Sequence, residues 1–244
     1  MNEHPVVSNE EWTAARIELL KKEKQFTQMR DELTKQRRNL PWEKVEKEYT
    51  FDGPNGKLSL ADLFEDCSQL IVYHFMYGPD WPEGCKICSM LGDHYDPLTI
   101  HLKHRDVSLV TVSRAPISNL IDYKQRMGWS FNWVSSYDSD FNWDYHVSFK
   151  KEDLEGKGVY YNYEETAQFP ADEGPGISSF FKNEKGEIFH TYSSFGRGLE
   201  NFLGIYNFLD IVTKGRDESE FPYPMAWVRH KDQYGDSSVV DPYI

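Results

Sequence analysis

Cys85 and Cys88 stand three residues apart in Gly84-Cys85-Lys86-Ile87-Cys88-Ser89, shortly after the apolar run Leu70–Phe75 and a Gly78-Pro79 turn. The two cysteines open what reads as a helix, which places the pair at a helix N-terminus. Unpaired backbone N–H groups and positive potential there favour a thiolate over a thiol. One helical turn separates the two side chains, close enough for a disulfide. Lys86 adds a cation between them, unless it is merely a solvated residue at the helix start. The chemistry this spacing proposes is a redox dithiol in which Cys85 attacks and Cys88 resolves.

Two plainer readings stand beside it. A C-x-x-C is also half of a zinc site, and cysteines are often small buried hydrophobes. A closed zinc site needs two further ligands. The remaining cysteine, Cys67, is alone before the strand, and His74, His94, His101 and His104 show no finger spacing. Cys85, Cys88 and one histidine would still suit a soft metal such as copper(I) or zinc. No resident cofactor is called for by any other motif: P-loop, G-x-G-x-x-G, G-x-S-x-G and H-E-x-x-H patterns are absent.

Supporting residues follow from the elements around the pair. His74 and Tyr73 end the strand that delivers the cysteine turn, and successive strand residues face opposite sides. Only one of the two can face the cysteines. His74 is a candidate to hydrogen-bond or deprotonate a sulfur, with a satisfied core histidine as the alternative. Trp81-Pro82-Glu83-Gly84 forms a long, hooded approach to Cys85. Arg114 falls at the carboxyl edge of Val107–Ser113, where open α/β sheets hold ligands. With Arg126 and Arg197 it could grip an acidic group, although surface ion pairs are the ordinary role in so acidic a chain. Trp129, Trp133 and Trp143 either roof a pocket or fill the core. His230 and Asp232 form an acid/base pair only if the C-terminal tail folds over the dithiol.

Ser8-Asn9-Glu10-Glu11 opens a long helix whose stripe runs through Trp12, Ala15, Leu19, Phe26, Met29 and Leu33 and ends before Pro41. The stripe packs on its own domain or serves as a dimer arm. After a hairpin-like turn at 53–56 and a short turn capped by Ser59, the chain alternates strand and helix. Leu70–Phe75, the cysteine helix as far as Pro97, Val107–Ser113, a helix from Ala115-Pro116 to Met127 and Phe131–Ser135 follow in that order. This alternation is the signature of an α/β layer. Short strands at Val159–Tyr163, Gly176–Phe181 and Glu187–Tyr192 come next, then a helix over Leu199–Leu209 and an irregular tail. The expected organisation is a helical extension over 1–42, a domain over 43–212 and a tail over 213–244.

Hydrophobic content of 39% with 15% aromatics provides for a sizeable core and argues against disorder. The net charge of −13 argues against nucleic acid as a main partner, since phosphate binding needs a basic face. The N-terminus has no basic region followed by an apolar one, and no stretch reaches the length of a membrane span. With three cysteines, this argues for a reducing cytoplasm rather than a secreted disulfide framework.

The order of elements resembles a thioredoxin fold: an α/β domain whose central mixed sheet, with Leu70–Phe75 in the middle, is flanked by helices on both faces. SLADLFEDCSQLIVYHF is similar to the entry of peroxiredoxin-like proteins, and Gly176–Asn183 resembles the thioredoxin hairpin that faces the dithiol. Across nearly the whole chain the sequence resembles the DUF899 family of thioredoxin-like proteins. Arg37–Trp42, Tyr73–Pro79, Gly84-Cys85-x-x-Cys88-Ser89, Val112–Pro116, Arg126–Trp129, Phe189–Tyr192, Arg197-Gly198 and Gly215–Glu218 carry that resemblance. It implies a thiol-disulfide oxidoreductase acting on a protein or small-molecule thiol or disulfide. A peroxiredoxin-like peroxide reductase is the variant, and the sequence lacks the threonine that such a site places three residues before its cysteine. By position, Gly176 takes the place of the thioredoxin cis-proline, with Pro175 just before it.

Overall fold

The computed structural model describes residues 4–156, 158–166 and 169–234. The chain divides into two compact units, Met1–Pro41 and Trp42–Ile244. In the first, α1 (Asn9–Arg38) begins at a capping box: the Glu11 N–H donates to Ser8 Oγ at 3.2 Å and the Ser8 N–H to Glu11 Oε2 at 3.0 Å. Acidic residues in its first turn and basic ones in its last oppose the helix dipole. No residue of α1 is buried.

The second unit contains β1 (Glu43–Lys44), the hairpin β2 (Thr50–Gly53) and β3 (Gly56–Ser59), and β4 (Gln69–His74). Then come α2 (Lys86–Tyr95), α3 (Thr99–Lys103), β5 (Val107–Ser113), α4 (Ile117–Met127), β6 (Asn132–Ser135), α5 (Phe141–Asp144) and α6 (Lys151–Leu154). Strands β7 (Val159–Tyr161), β8 (Glu164–Thr166), β9 (Gly176–Lys182) and β10 (Ile188–Phe195) precede α7 (Gly204–Leu209). Eight strands form one sheet in the order β1-β10-β9-β4-β5-β6-β2-β3. The β4–β5 and β5–β6 pairs are parallel, whereas β9 runs antiparallel to β4 and to β10. With the cysteine helix following the central strand, this is a thioredoxin-like fold.

Strand alternation explains the two cores. Leu70 and Val72 meet Val110, Val112, Phe51, Phe64, Phe141 and Phe180 on one face. A 3-10 turn at Asp62–Phe64 and α5 pack on that face, and Phe51 and Leu58 of the β2–β3 hairpin join the same core. Tyr73 and Phe75 point the other way, into Leu120, Tyr123, Met127, Trp129 and Trp133 below α2 and α4. Strand β5 has parallel neighbours on both edges and a core on each face, so Val110 and Val112 are buried and so are the polar Ser108, Thr111 and Ser113.

Three elements differ from the sequence reading. The final helix is broken: a 3-10 stretch at Gly196–Phe202 gives way at Leu203 to α7. The Ile205 N–H freed at that break donates to His94 Nε2 at 3.0 Å. Strand β7 lies outside the main sheet and pairs with β8 alone. Helix α4 begins at Ile117, just past the expected start, with Pro116 as its N-cap. The tail forms no helix or strand among its described residues, yet Val228 is fully buried in the core beside the cysteines. No described helix is long and apolar enough to cross a membrane.

Candidate active site: the Cys85–Cys88 turn

Backbone bonds hold the turn to the sheet before any side chain acts. The Cys85 N–H donates to the Met76 carbonyl at 3.0 Å, and the Ala115 N–H to Tyr77 at 2.8 Å. Strand β4 is thereby prolonged as far as the cysteines. Gly84 is required by close approach: a Cβ there would lie 2.7 Å from the Phe75 ring. The Gly84 carbonyl accepts from His230 Nε2 at 2.9 Å, while Ser89 Oγ donates to the Cys85 carbonyl at the same distance. Arg126 clamps the approach, reaching Glu83 at 2.6 Å and Asp232 at 2.7 Å. The tail therefore does fold against the dithiol turn. His230 meets the Gly84 carbonyl and Gln233, not Asp232, so the two do not form the acid/base pair considered above.

Cys85 is the N-cap residue of α2 and Cys88 lies one turn on; they approach to 3.8 Å and neither is in a disulfide. The protein pushes them in opposite directions. The Cys85 thiol is held below its ordinary pKa by the hydrogen bond from Cys88, against the cost of burial. The Cys88 and Ile87 backbone N–H groups and the Lys86 charge act in the same direction. Burial drives the Cys88 thiol well above its ordinary value, and the Cys85 sulfur adds to that. Opposing it, the Tyr73 hydroxyl and the Met76 N–H donate to Cys88, favouring its anion. In such a pair Cys85 gives up its proton more readily than Cys88.

Lys86 is not a solvated residue at a helix start: it is 1% exposed and its charge acts on Cys85. His74 does not reach the cysteines. It faces the opposite core, stacks on Phe141 and Tyr145, and bonds Ser178 Oγ at 2.8 Å through Nε2. Burial lowers its pKa to about 3, so it is neutral. The physical reason is the strand period of two, which gives the cysteine side to Tyr73.

Trp81 donates from Nε1 to Asp172 at 2.9 Å, tying the approach loop to the segment that enters β9. Arg114 is committed to that segment too. Its Nη1 lies 3.1 Å from Glu173 Oε1, and its guanidinium lies over the Trp143 ring at 4.1 Å. Glu173 is 1% exposed, and burial raises its pKa to about 8 against the opposing pull of Arg114. Arg197 pairs with Glu200 and Arg126 with Glu83 and Asp232, so the three arginines do not converge on one site. Trp129 and Trp133 are core residues.

The peptide before Pro175 is trans, as are all described peptides. Pro175, rather than Gly176, faces the cysteines, because Gly176 is paired with His74 in register and backs onto Phe195. Cys85, Cys88, Tyr73 and Pro175 open into a cavity of about 420 Å³. Its wall includes Leu199, Leu203 and Met225, from the broken helix and the tail. Neither that wall nor Glu173 was singled out from the sequence. Tyr73 was named there only as the neighbour of His74 at the strand end; counting by twos puts it on one side with Ile71 and Phe75 without saying which side that is.

Fold and site together define a thioredoxin-fold protein with a cysteine pair at the N-terminus of the helix after its central strand. The chain belongs to the family described as bacterial protein of unknown function (DUF899), which it matches over residues 1–234. No curated protein matches it in sequence. Among solved structures it is similar to a peroxiredoxin Q of Xanthomonas campestris, with 12% identity and a TM-score of 0.42. That match covers 67% of this chain and 92% of the other. It is likewise similar to the peroxidoxin BcpB of Mycobacterium tuberculosis, with 11% identity, a TM-score of 0.42 and coverage of 67% and 93%. A putative thiol:disulfide interchange protein DsbE of Chlorobium tepidum gives 12% identity, a TM-score of 0.39 and coverage of 68% and 97%.

Proposed function

We propose that this chain is a thiol-disulfide oxidoreductase working through Cys85 and Cys88. The observation that carries this reading is the opposed poise of two thiols 3.8 Å apart, Cys85 lowered and Cys88 raised in pKa. The Cys85 thiolate attacks one sulfur of a disulfide, forming a mixed disulfide and releasing the other sulfur as thiolate. Cys88 then gives up its proton and attacks Cys85, with Tyr73 and the Met76 N–H stabilising the developing anion. The Cys85–Cys88 disulfide forms, the second thiolate leaves, and protons pass to the leaving groups. Two electrons move from the dithiol to the substrate.

The soft-metal reading finds less support. Among the described residues no group of three or more His, Cys, Asp or Glu side chains is placed to hold a metal ion. His94, the nearest histidine in sequence, is taken up by the Met90 carbonyl and the Ile205 N–H, and His74 faces the other core.

A Cys88→Ser variant tests the assignment. Treated with a small disulfide, it should accumulate a stable adduct on Cys85, visible by intact mass, whereas Cys85→Ser should acquire none at Cys88. Adduct formation on Cys88 alone would reverse the roles.

A further inference from the structure

Both cysteines are 2% exposed, so neither sulfur is presented to the outside as a flat reactive surface. What each does border is the 420 Å³ cavity, a volume in the range of small-molecule pockets. Much of its lining is apolar: Met76, Ile87, Leu91, Leu199, Leu203 and Met225. The charged groups at its edge are already engaged. Arg197 bonds Glu200 at 2.9 Å, and Arg216 bonds Glu200 at 3.2 Å and Asp210 at 2.7 Å. Glu218 accepts from the Tyr206 hydroxyl, the Met225 N–H and Trp227 Nε1. Among the described residues that line the cavity, each charged side chain thus already has a partner of its own.

From this geometry we propose that the dithiol's substrate is a small disulfide with apolar arms, which enters the cavity to meet Cys85, and not the disulfide of a folded protein. The inference rests on the redox reading above and adds the substrate class to it. A protein disulfide is flanked by two backbones and carries bulk on every side, so it cannot follow a cavity down to sulfurs this deeply covered. A dialkyl or diaryl disulfide can, and its arms exchange water for Leu199, Leu203 and Met225. The balance is that of the proposed reaction: one dithiol and one R–S–S–R give the Cys85–Cys88 disulfide and two R–SH.

The experiment uses the reduced full-length protein and the symmetrical dialkyl disulfides from methyl to butyl. Oxidised glutathione and insulin serve as the charged and the protein comparators. Each second-order rate is divided by that of dithiothreitol with the same disulfide, which removes intrinsic reactivity. The normalised rate should rise about fourfold for each methylene buried until the cavity is full. Glutathione and insulin should fall at least a hundredfold below the butyl compound. Met225→Trp, which narrows the cavity, should flatten the series, and Met225→Ala should extend it to longer arms.

A flat series in the wild-type protein, or insulin reacting as fast as dibutyl disulfide, overturns the substrate class. Diamide separates this failure from that of the underlying reading. If diamide links Cys85 to Cys88 while the series is flat, only the substrate class falls. If diamide forms no such link, the dithiol reading falls and the inference with it.

Discussion

The Tyr73 hydroxyl donates to the Cys88 sulfur from the central strand directly beneath it. The deeper thiol, whose proton burial holds most firmly, is thus the one given a donor for its anion. That arrangement serves the second half of a dithiol reaction, when Cys88 must become a nucleophile. Tyr73→Phe removes the donor and little volume. Resolution of a mixed disulfide on Cys85 should slow roughly tenfold, the scale of one hydrogen bond to a charged group. First attack by Cys85 should change little. Stopped-flow oxidation with mass analysis of the intermediate separates the two steps, and equal slowing of both would contradict this role.

Gly176 is paired with His74 across β9 and β4, and a Cβ there would lie 2.7 Å from Phe195 and 3.2 Å from His74. Both rings are buried and cannot give way freely. Gly176→Ala should therefore cost about 1–3 kcal/mol by overpacking. Denaturant unfolding measures it, and an unchanged midpoint would show that the rings are less constrained than their burial implies.

Glu173 provides a pH dependence with a definite sign. Burial raises its pKa in the folded chain to about 8, above the ordinary carboxylate value of 4.5. Between these values the folded chain holds a proton that the unfolded chain has lost. The stability this contributes is full below about pH 4.5 and is lost as pH rises through about 8. Glu173→Gln should match the wild type near pH 5. It should then gain on the wild type by on the order of 1 kcal/mol per pH unit up to pH 8. Parallel stability curves for the two proteins would contradict the raised pKa.

These relationships differ in how far the sequence discloses them. The β-branched runs Leu70–Phe75 and Val107–Ser113 disclose the buried centre of the sheet because a parallel strand must be apolar on both faces. The Cys85–Cys88 spacing discloses the chemistry because local order alone places two side chains one turn apart. His74 was harder to place. Knowing that Tyr73 and His74 diverge does not say which faces the cysteines until the partners of Ile71 and Val72 are known. The cavity wall was hidden for a different reason. Leu203 lies at a break that Gly204 and His94 create together, and Met225 lies in a tail with no period to read. Lys86 shows the same limit: its type and position resemble a solvated residue, and only the tertiary packing buries it.

The central claim is that Cys85 and Cys88 interconvert between dithiol and disulfide, and a redox titration tests it most directly. The full-length protein is equilibrated across buffers from about −120 to −300 mV, the span from strongly oxidising to thermodynamically resistant disulfides. Free thiols are then trapped, and intact mass and peptide mapping locate the bond. The account predicts a single two-electron transition within that span, linking Cys85 to Cys88, with Cys67 remaining a thiol at every potential. Cys67 precedes β4 at the opposite end of the strand from the turn, roughly 20 Å away over six residues. Two thiols at 85 and 88 that stay reduced throughout, or a bridge that includes Cys67, would contradict it.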